Sequence, residues 1–336
     1  MDEKKYRTIR LESEDIGPSW DAFVESSPQG SIFVTSGWIR ACEKILNSKA
    51  FIITIQDDKD RILAGFPVIP GKSRFGFRIL QTPPLTPYFT IAFAPSTTEK
   101  SEKIINHQLE LVAMVITELQ EGGFAKIEFK CDPAILDIRE FLWQKWEVWV
   151  CYTFIGRLNT NTDILSRFNY DIRRQVNKCL RENMQVKLSS QPLADLPLFY
   201  VLYNKTWAKQ DKKAPRQDTI RFFLEEAVKR NSARMYLGYA ENGELISGAI
   251  VLLSSRGIAH YWVAGTDPDF LDTGITPFMI YKIMLDQESS TFALFDFDGA
   301  NIRSIAAFKN HFGGNLTPYF QLKYERKLCD FRRNRF

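Results

Sequence analysis

Residues 234–266, RMYLGYAENGELISGAIVLLSSRGIAHYWVAGT, decide the fold. Arg234–Ala240 and Leu245–Leu253 are rich in β-branched and aromatic residues, and the polar tetrapeptide Glu241-Asn242-Gly243-Glu244 joins them as a hairpin turn. Ile258–Ala264 follows as a third, aromatic-rich strand. Upstream, Leu196–Lys209 and Asp218–Arg230 read as helices. Downstream come a helix over Ile275–Gln287, a strand over Phe292–Phe297, a helix over Ser304–His311 and a strand over Tyr319–Tyr324.

The first half of the chain has the same grammar. Asp21–Phe23 and Phe33–Leu46 read as helical segments around the turn Pro28-Gln29-Gly30. Ala50–Gln56 and Arg61–Ile69 form a hairpin across Asp57-Asp58-Lys59-Asp60. Ile79–Phe93 is apolar but broken by Pro83, Pro84 and Pro87, so it reads as loop with pieces of strand. Ser101–Leu119 carries Ile104, Ile105, Leu109, Leu111, Val112, Val115, Ile116 and Leu119 at helical spacing; Gly122-Gly123 ends it, and Ala125–Phe129 is a strand. No residue-level identity links the halves, but the shared order points to a duplication with its joint between Trp149 and Thr160. Helices on mostly antiparallel sheets make an α+β class.

The chain has 336 residues, 45% of them hydrophobic and 25% charged, which suits a folded protein of two domains and excludes a disordered one. No run approaches the roughly 18 apolar residues of a membrane span. Met1–Lys5 is charged with no apolar stretch behind it, so no secretory signal is read there, and the expected location is the cytoplasm. The cysteines at 42, 131, 151, 179 and 329 form no C-x-x-C pair and are expected to be reduced thiols, mostly buried. His107, His260 and His311 make no H-x-x-x-H, so no helical metal motif exists and no metal is expected. No two of the 18 glycines are separated by one residue, which excludes G-x-G-x-x-G, and no two by three residues, which excludes G-x-S-x-G; G-x-x-x-x-G-K-[ST] is missing as well.

The net charge is only +4, but its distribution is uneven. Residues 167–187, 205–216 and 323–335 each carry a net +4, leaving the rest of the chain net acidic. Basic clusters of this kind either attract phosphates or are solvated helix faces.

Four ordered motifs in the second half carry a resemblance. They are Phe168-Asn169-Tyr170-Asp171-Ile172-Arg173-Arg174-Gln175-Val176-Asn177-Lys178, Gly265-Thr266-Asp267-Pro268, Phe295-Asp296-Phe297-Asp298-Gly299 and Phe308-Lys309-Asn310-His311-Phe312-Gly313-Gly314. This set resembles the FemAB-like, or BioF2-like, branch of the GNAT acyltransferase superfamily over about residues 165–322. Phe33-Val34-Thr35-Ser36-Gly37-Trp38 is similar to that family's N-terminal Phe-x-x-Ser-x-Trp element. The resemblance implies two tandem GNAT-like units, 1–155 and 156–318, with the strand 319–330 returning to complete the first. It implies an acyltransferase that joins an acyl or aminoacyl group to an amine on a small molecule or a cell-wall (peptidoglycan) precursor. Acyl-CoA or aminoacyl-tRNA would be the co-substrate, no cofactor would be held permanently, tRNA would be the one nucleic-acid partner, and DNA would not be bound. Oligomeric state is not legible. Asp272-Thr273-Gly274-Ile275 departs from the G-x-G/A loop by which GNAT enzymes hold pyrophosphate, which argues against conventional acetyl-CoA transfer. That transfer and a non-catalytic binding module on a decayed duplicate are the alternatives.

Joining an activated acyl group to an amine needs a cation for the developing oxyanion and a route for the amine proton. The resemblance puts Lys309 beside the acyl group, opposed by a solvated-helix reading. Its substitution by alanine is then expected to leave folding nearly intact. Asp296 and Asp298, at period two, would share one face and leave Phe295 and Phe297 on the other; two like carboxylates can raise one pKa and supply a base. Arg173, Arg174 and Lys178 would contact phosphate, with at most two on one helix face. Phe308 would stack or line the channel, Asp267 would cap the loop before the next helix, and Tyr261 alternates with His260 as the residue facing the sheet cavity. His260 itself reads as core.

Overall fold

The computed structural model describes residues 6–158, 163–288 and 292–326. Met1–Lys5, Thr160, Cys329 and the ends of the basic tail and of the strand expected over 319–330 lie outside the described residues. In chain order the elements are β1 (Arg7–Glu12), α1 (Pro18–Ser26), α2 (Ser36–Leu46), β2 (Phe51–Gln56), β3 (Ile62–Val68), β4 (Pro70–Lys72), β5 (Arg78–Gln81), β6 (Ala92–Phe93), α3 (Ser101–Glu121), β7 (Lys126–Lys130), α4 (Arg139–Trp143) and β8 (Glu147–Arg157). There follow α5 (Tyr170–Arg181), β9 (Gln185–Leu188), α6 (Pro192–Ala208), α7 (Gln217–Lys229), β10 (Ala233–Tyr239), β11 (Leu245–Ser254), β12 (Ile258–Thr266), α8 (Ile275–Glu288), β13 (Leu294–Asp296), α9 (Arg303–Lys309) and β14 (Asn315–Glu325). The described chain divides into two compact units, one up to Cys151 with the chain from Pro318 onward, the other Tyr152–Thr317. Among the described residues no helix is long and apolar enough to cross a membrane.

In the first unit β1, β2, β3 and β6 form an antiparallel sheet, and β5, β7 and the end of β14 pair separately, with β5 parallel to β7 and β14 antiparallel to it. Aromatic rings fill the centre: Phe66 meets Phe89 and Phe129, and Phe129 meets Phe141, which meets Trp146, at centroid separations of 4.9–6.1 Å. The Phe33–Trp38 element is not one helix. Ile32–Val34 makes a 3₁₀ turn, and Thr35 then caps α2 by accepting the Trp38 N–H. The buried Asp21 carboxylate accepts from the Ser36 amide and hydroxyl at 2.7 and 2.6 Å, which locks α1 to α2. Strand β1 is too polar to have been read as a strand; its ladder to β2, Arg7↔Gln56 to Glu12↔Phe51, holds it in place.

In the second unit the strand order is β8-β13-β12-β11-β10-β9. Neighbours in this order pair antiparallel except β12 with β13, which are parallel. Helix α8 packs its buried Ile275, Phe278, Met279, Ile280, Ile283 and Met284 on one face of this sheet. Helix α5, capped by the Asn169 side chain, adds Ile172, Val176 and Cys179 to the same core. Helix α6 lies so close to β12 that a Cβ at Gly265 would stand 2.5 Å from the Tyr203 backbone. Gly265→Ala is therefore expected to destabilise by about 1–3 kcal/mol, as over-packing against a rigid neighbour does. Urea unfolding measures it; a midpoint equal to that of wild type would mean that α6 moves away freely.

Candidate active site

The parallel ladder of β12 and β13 runs Ile258↔Leu294, Ala259↔Phe295, His260↔Asp296 and stops there. Strand β12 continues to Thr266, whereas β13 gives way to a turn at Phe297-Asp298-Gly299. The two strands part at His260 and Asp296, and this parting gathers a set of polar groups inside the second unit.

Asp296 and Asp298 do meet, but not by the pleat that their spacing predicted. β13 ends at Asp296, and Asp298 sits in the left-handed region at φ 52°, which a short polar side chain tolerates. The turn folds the Asp298 amide back onto Asp296 Oδ1 at 2.9 Å. Thr153 of β8 donates its hydroxyl to the same oxygen at 2.6 Å and accepts the Gly299 amide at 3.0 Å. His260 Nδ1 stands 3.1 Å from Asp298 Oδ1 and 3.7 Å from Asp296 Oδ2, while its Nε2 meets Ser254 Oγ at 3.1 Å. The side chains of His260, Asp296 and Asp298 are only 1–5% exposed. Asp298 Oδ2 is buried and has no hydrogen-bond partner among the described residues. Phe295 and Phe297 take the opposite side and join the hydrophobic core.

Lys309, the last residue of α9, is half-buried and extends under this turn. Its ammonium donates to the carbonyls of Phe297 at 2.5 Å, Gly299 at 2.7 Å and Asp298 at 3.3 Å. The solvated-helix reading and the expectation of an expendable side chain are both corrected: the lysine holds the turn together. Burial lowers its pKa, opposed by the charges of Asp298 and Asp296. Burial also raises Asp296 to about 6, with the Asp298 charge adding to it and His260, Thr153 and the Asp298 amide opposing it. His260, Asp296 and Asp298 have ligand atoms within 4.8 Å of one another, close enough to hold a small cation. Lys309 already brings a positive charge to the same carboxylates.

The other candidate residues lie elsewhere. Arg173 and Arg174 are exposed on α5 and Lys178 is half-buried, with long 4.0 Å pairs from Arg174 to Asp171 and from Lys178 to Glu182. Asp267 caps the turn after β12 by accepting the Asp269 amide and pairs with Lys205, whose ammonium holds its carboxyl below the usual range. Tyr261 turns to the core face against Phe295, at 6.1 Å between centroids, and not toward the carboxylates. Phe308 packs edge-on against Phe312 at 5.0 Å as part of the core. The four described cysteines are free thiols; Cys42, Cys131 and Cys179 are buried and Cys151 partly so.

Sequence reasoning missed Thr153 and Ser254 and set His260 aside as core. Aligning the predicted strands over Ile258–Ala264 and Phe292–Phe297 by their starts opposes His260 to Leu294, so the register that pairs it with Asp296 was not legible in the sequence. Nothing marked Thr153, 143 residues away from its partner.

A family model described as an acetyltransferase (GNAT) domain matches residues 166–310. A search of curated protein sequences returns no match. Among solved structures the chain is similar to FemX, at 13% identity and a TM-score of 0.74, covering 97% of this chain and 99% of that one. It is also similar to a tandem GNAT protein from the clavulanic acid biosynthesis pathway, at 9% identity and a TM-score of 0.56, covering 95% and 98%. A third is the C-terminal domain of a putative lysylphosphatidylglycerol synthetase from Agrobacterium fabrum, at 12% and 0.55, covering 86% and 87%.

Two outcomes follow from the geometry. Lys309→Ala leaves three carbonyls without their donor and is expected to cost about 1–3 kcal/mol, read by urea unfolding; unchanged stability would mean that the turn holds without the ammonium. Asp296 binds its proton more tightly folded than unfolded, so its contribution to stability is full below pH ~4 and is lost as pH rises through about 6. Asp296→Asn should remove this fall from a plot of stability against pH between about 4 and 7. Parallel plots for variant and wild type would contradict the raised pKa.

Proposed function

We propose that this chain, a GNAT domain within a FemAB-like tandem GNAT fold, is an acyltransferase whose reaction centre is the Lys309–Asp296–Asp298 group. The observation that carries the reading is the unpartnered Asp298 Oδ2, buried beside a cation where two parallel strands part. An unsatisfied buried carboxylate oxygen costs stability, and an amine nitrogen is a natural partner for it.

In this reading the acceptor amine docks on Asp298 Oδ2 and attacks the acyl carbonyl. The nitrogen–carbon bond forms, the amine proton passes to the carboxylate, and the donor's oxygen or sulfur leaves with the electron pair of the broken bond. Lys309 keeps its two short bonds, to Phe297 and Gly299. Its third N–H, at 3.3 Å from the Asp298 carbonyl, is the one loosely held and turns to the oxyanion. The donor is an acyl-CoA or an aminoacyl-tRNA and the acceptor an amine on a small molecule or cell-wall precursor. Arg173 and Arg174, exposed on α5, and Lys178 beside them are placed to meet phosphate from solvent. The family description favours a second reading, a conventional acetyl-CoA N-acetyltransferase.

Native mass spectrometry against acyl-CoA species, charged tRNA and UDP-linked precursors separates the two readings. Binding of acetyl-CoA alone, with acetylation of simple amines, would select the second; no binding of any donor would remove both. With the donor so identified, Asp298→Asn is expected to lower kcat by about 10²–10⁴-fold, the usual contribution of a positioned base. Charge reversal at Arg174 is expected to weaken donor or acceptor binding, more at low salt. An affinity indifferent to both the substitution and salt would return α5 to the role of a solvated face.

A further inference from the structure

We infer that His260 is a positioning residue: its Nδ1–H, set by Ser254 at Nε2, holds Asp298 so that Oδ2 is left for the acceptor amine. The inference rests on the reaction-centre reading above. Nδ1 faces two carboxylates, Asp298 Oδ1 at 3.1 Å and Asp296 Oδ2 at 3.7 Å. A bare nitrogen lone pair there would oppose the Asp298 oxygen, so Nδ1 carries the proton. Nε2 then presents its lone pair to the Ser254 hydroxyl at 3.1 Å. The ring cannot swing away, because His260 is 1% exposed and Ser254 3%. Asp296 is held separately, by the Thr153 hydroxyl and the Asp298 amide on Oδ1. Each carboxylate therefore has one oxygen fixed by its own donors. The Ser254–His260–Asp298 chain has the connectivity of an orienting acid–imidazole–hydroxyl relay, but here the acid is the member left with an open oxygen. Charged groups near the ring include Asp296 and Asp298, on and after β13, and Lys309 on α9, whose charge acts on both carboxylates.

Two amide substitutions test this, because they mimic different ring nitrogens. The asparagine amide nitrogen overlies Nδ1, and that of glutamine overlies Nε2. Packing alone favours His260→Gln, the larger side chain and the closer to histidine in volume. The positioning role favours His260→Asn, which keeps a donor to Asp298. The donors used are acetyl-CoA and alanyl-tRNA, with a lysine-containing UDP-linked peptide as acceptor. His260→Asn is expected to retain kcat within about 10-fold, and His260→Gln to lose about 10²-fold with KM little changed. Ring-15N histidine NMR gives a reading without turnover: with only three histidines in the chain, the signal lost in His260→Asn identifies His260. It should show a protonated Nδ1 and an unprotonated Nε2, and Ser254→Ala should shift Nε2. An unprotonated Nδ1 at neutral pH overturns the inference whatever the kinetics. So does His260→Gln equalling or exceeding His260→Asn while Asp298→Asn is inactive, which would leave the reaction-centre reading standing. Asp298→Asn turning over at the wild-type rate would remove both.

Discussion

One ammonium holds three consecutive carbonyls. Lys309 reaches back from the end of α9 to Phe297, Asp298 and Gly299, the residues over which β13 stops being a strand. A chain that leaves a sheet in the interior must find donors for the carbonyls it withdraws from the ladder. A lysine supplies three at a single point, and this permits Asp298 to take its left-handed conformation at φ 52°. The rest of the site depends on that turn, because it turns the Asp298 side chain back toward His260 and lays its amide on Asp296.

The cost of this arrangement is electrostatic. Two carboxylates and a half-buried ammonium sit against a hydrophobic core that takes in Phe295 of β13 and Phe297 of the turn after it. Burial alone would neutralise such groups. They are kept by mutual attraction and by donors drawn from Thr153, His260 and the turn amides. Like charges held close, opposed by a cation and shielded from water, cost stability, and groups perturbed in this way cluster at functional sites.

Much of this was legible in the sequence. The hairpins flanking Glu241-Asn242-Gly243-Glu244 and Asp57-Asp58-Lys59-Asp60 declared themselves by strand composition against polar turns, and α3, α7 and α8 by their apolar spacing. Lys309, Asp296 and Asp298 were singled out by motif, and the structure brings them together. What could not be read is what the backbone does between them. Period two implied a strand through Asp298, whereas the strand ends two residues earlier and a turn makes the meeting. Lys309 looked like a solvated helix end because an acceptor set made of main-chain carbonyls leaves no trace in side-chain composition. Tyr261 and Phe308 went to the core for a related reason: alternation says that neighbours face opposite ways, not which of them faces the polar side. Strands β1 and β9 carry no strand signal in the sequence because tertiary pairing, not propensity, makes them strands.

The most direct measurement is a crystal structure of the protein with a stable donor mimic, a thioether analogue of acyl-CoA and, separately, a 3′-aminoacylamino-adenosine. If Lys309 and Asp298 form the reaction centre, one of the mimics places its acyl carbonyl oxygen about 3 Å from Lys309 Nζ, with the carbonyl carbon turned toward Asp298 Oδ2. Both mimics bound with their acyl groups away from the parting of β12 and β13, or Lys309 and Asp298 left without contact to either, would contradict that assignment.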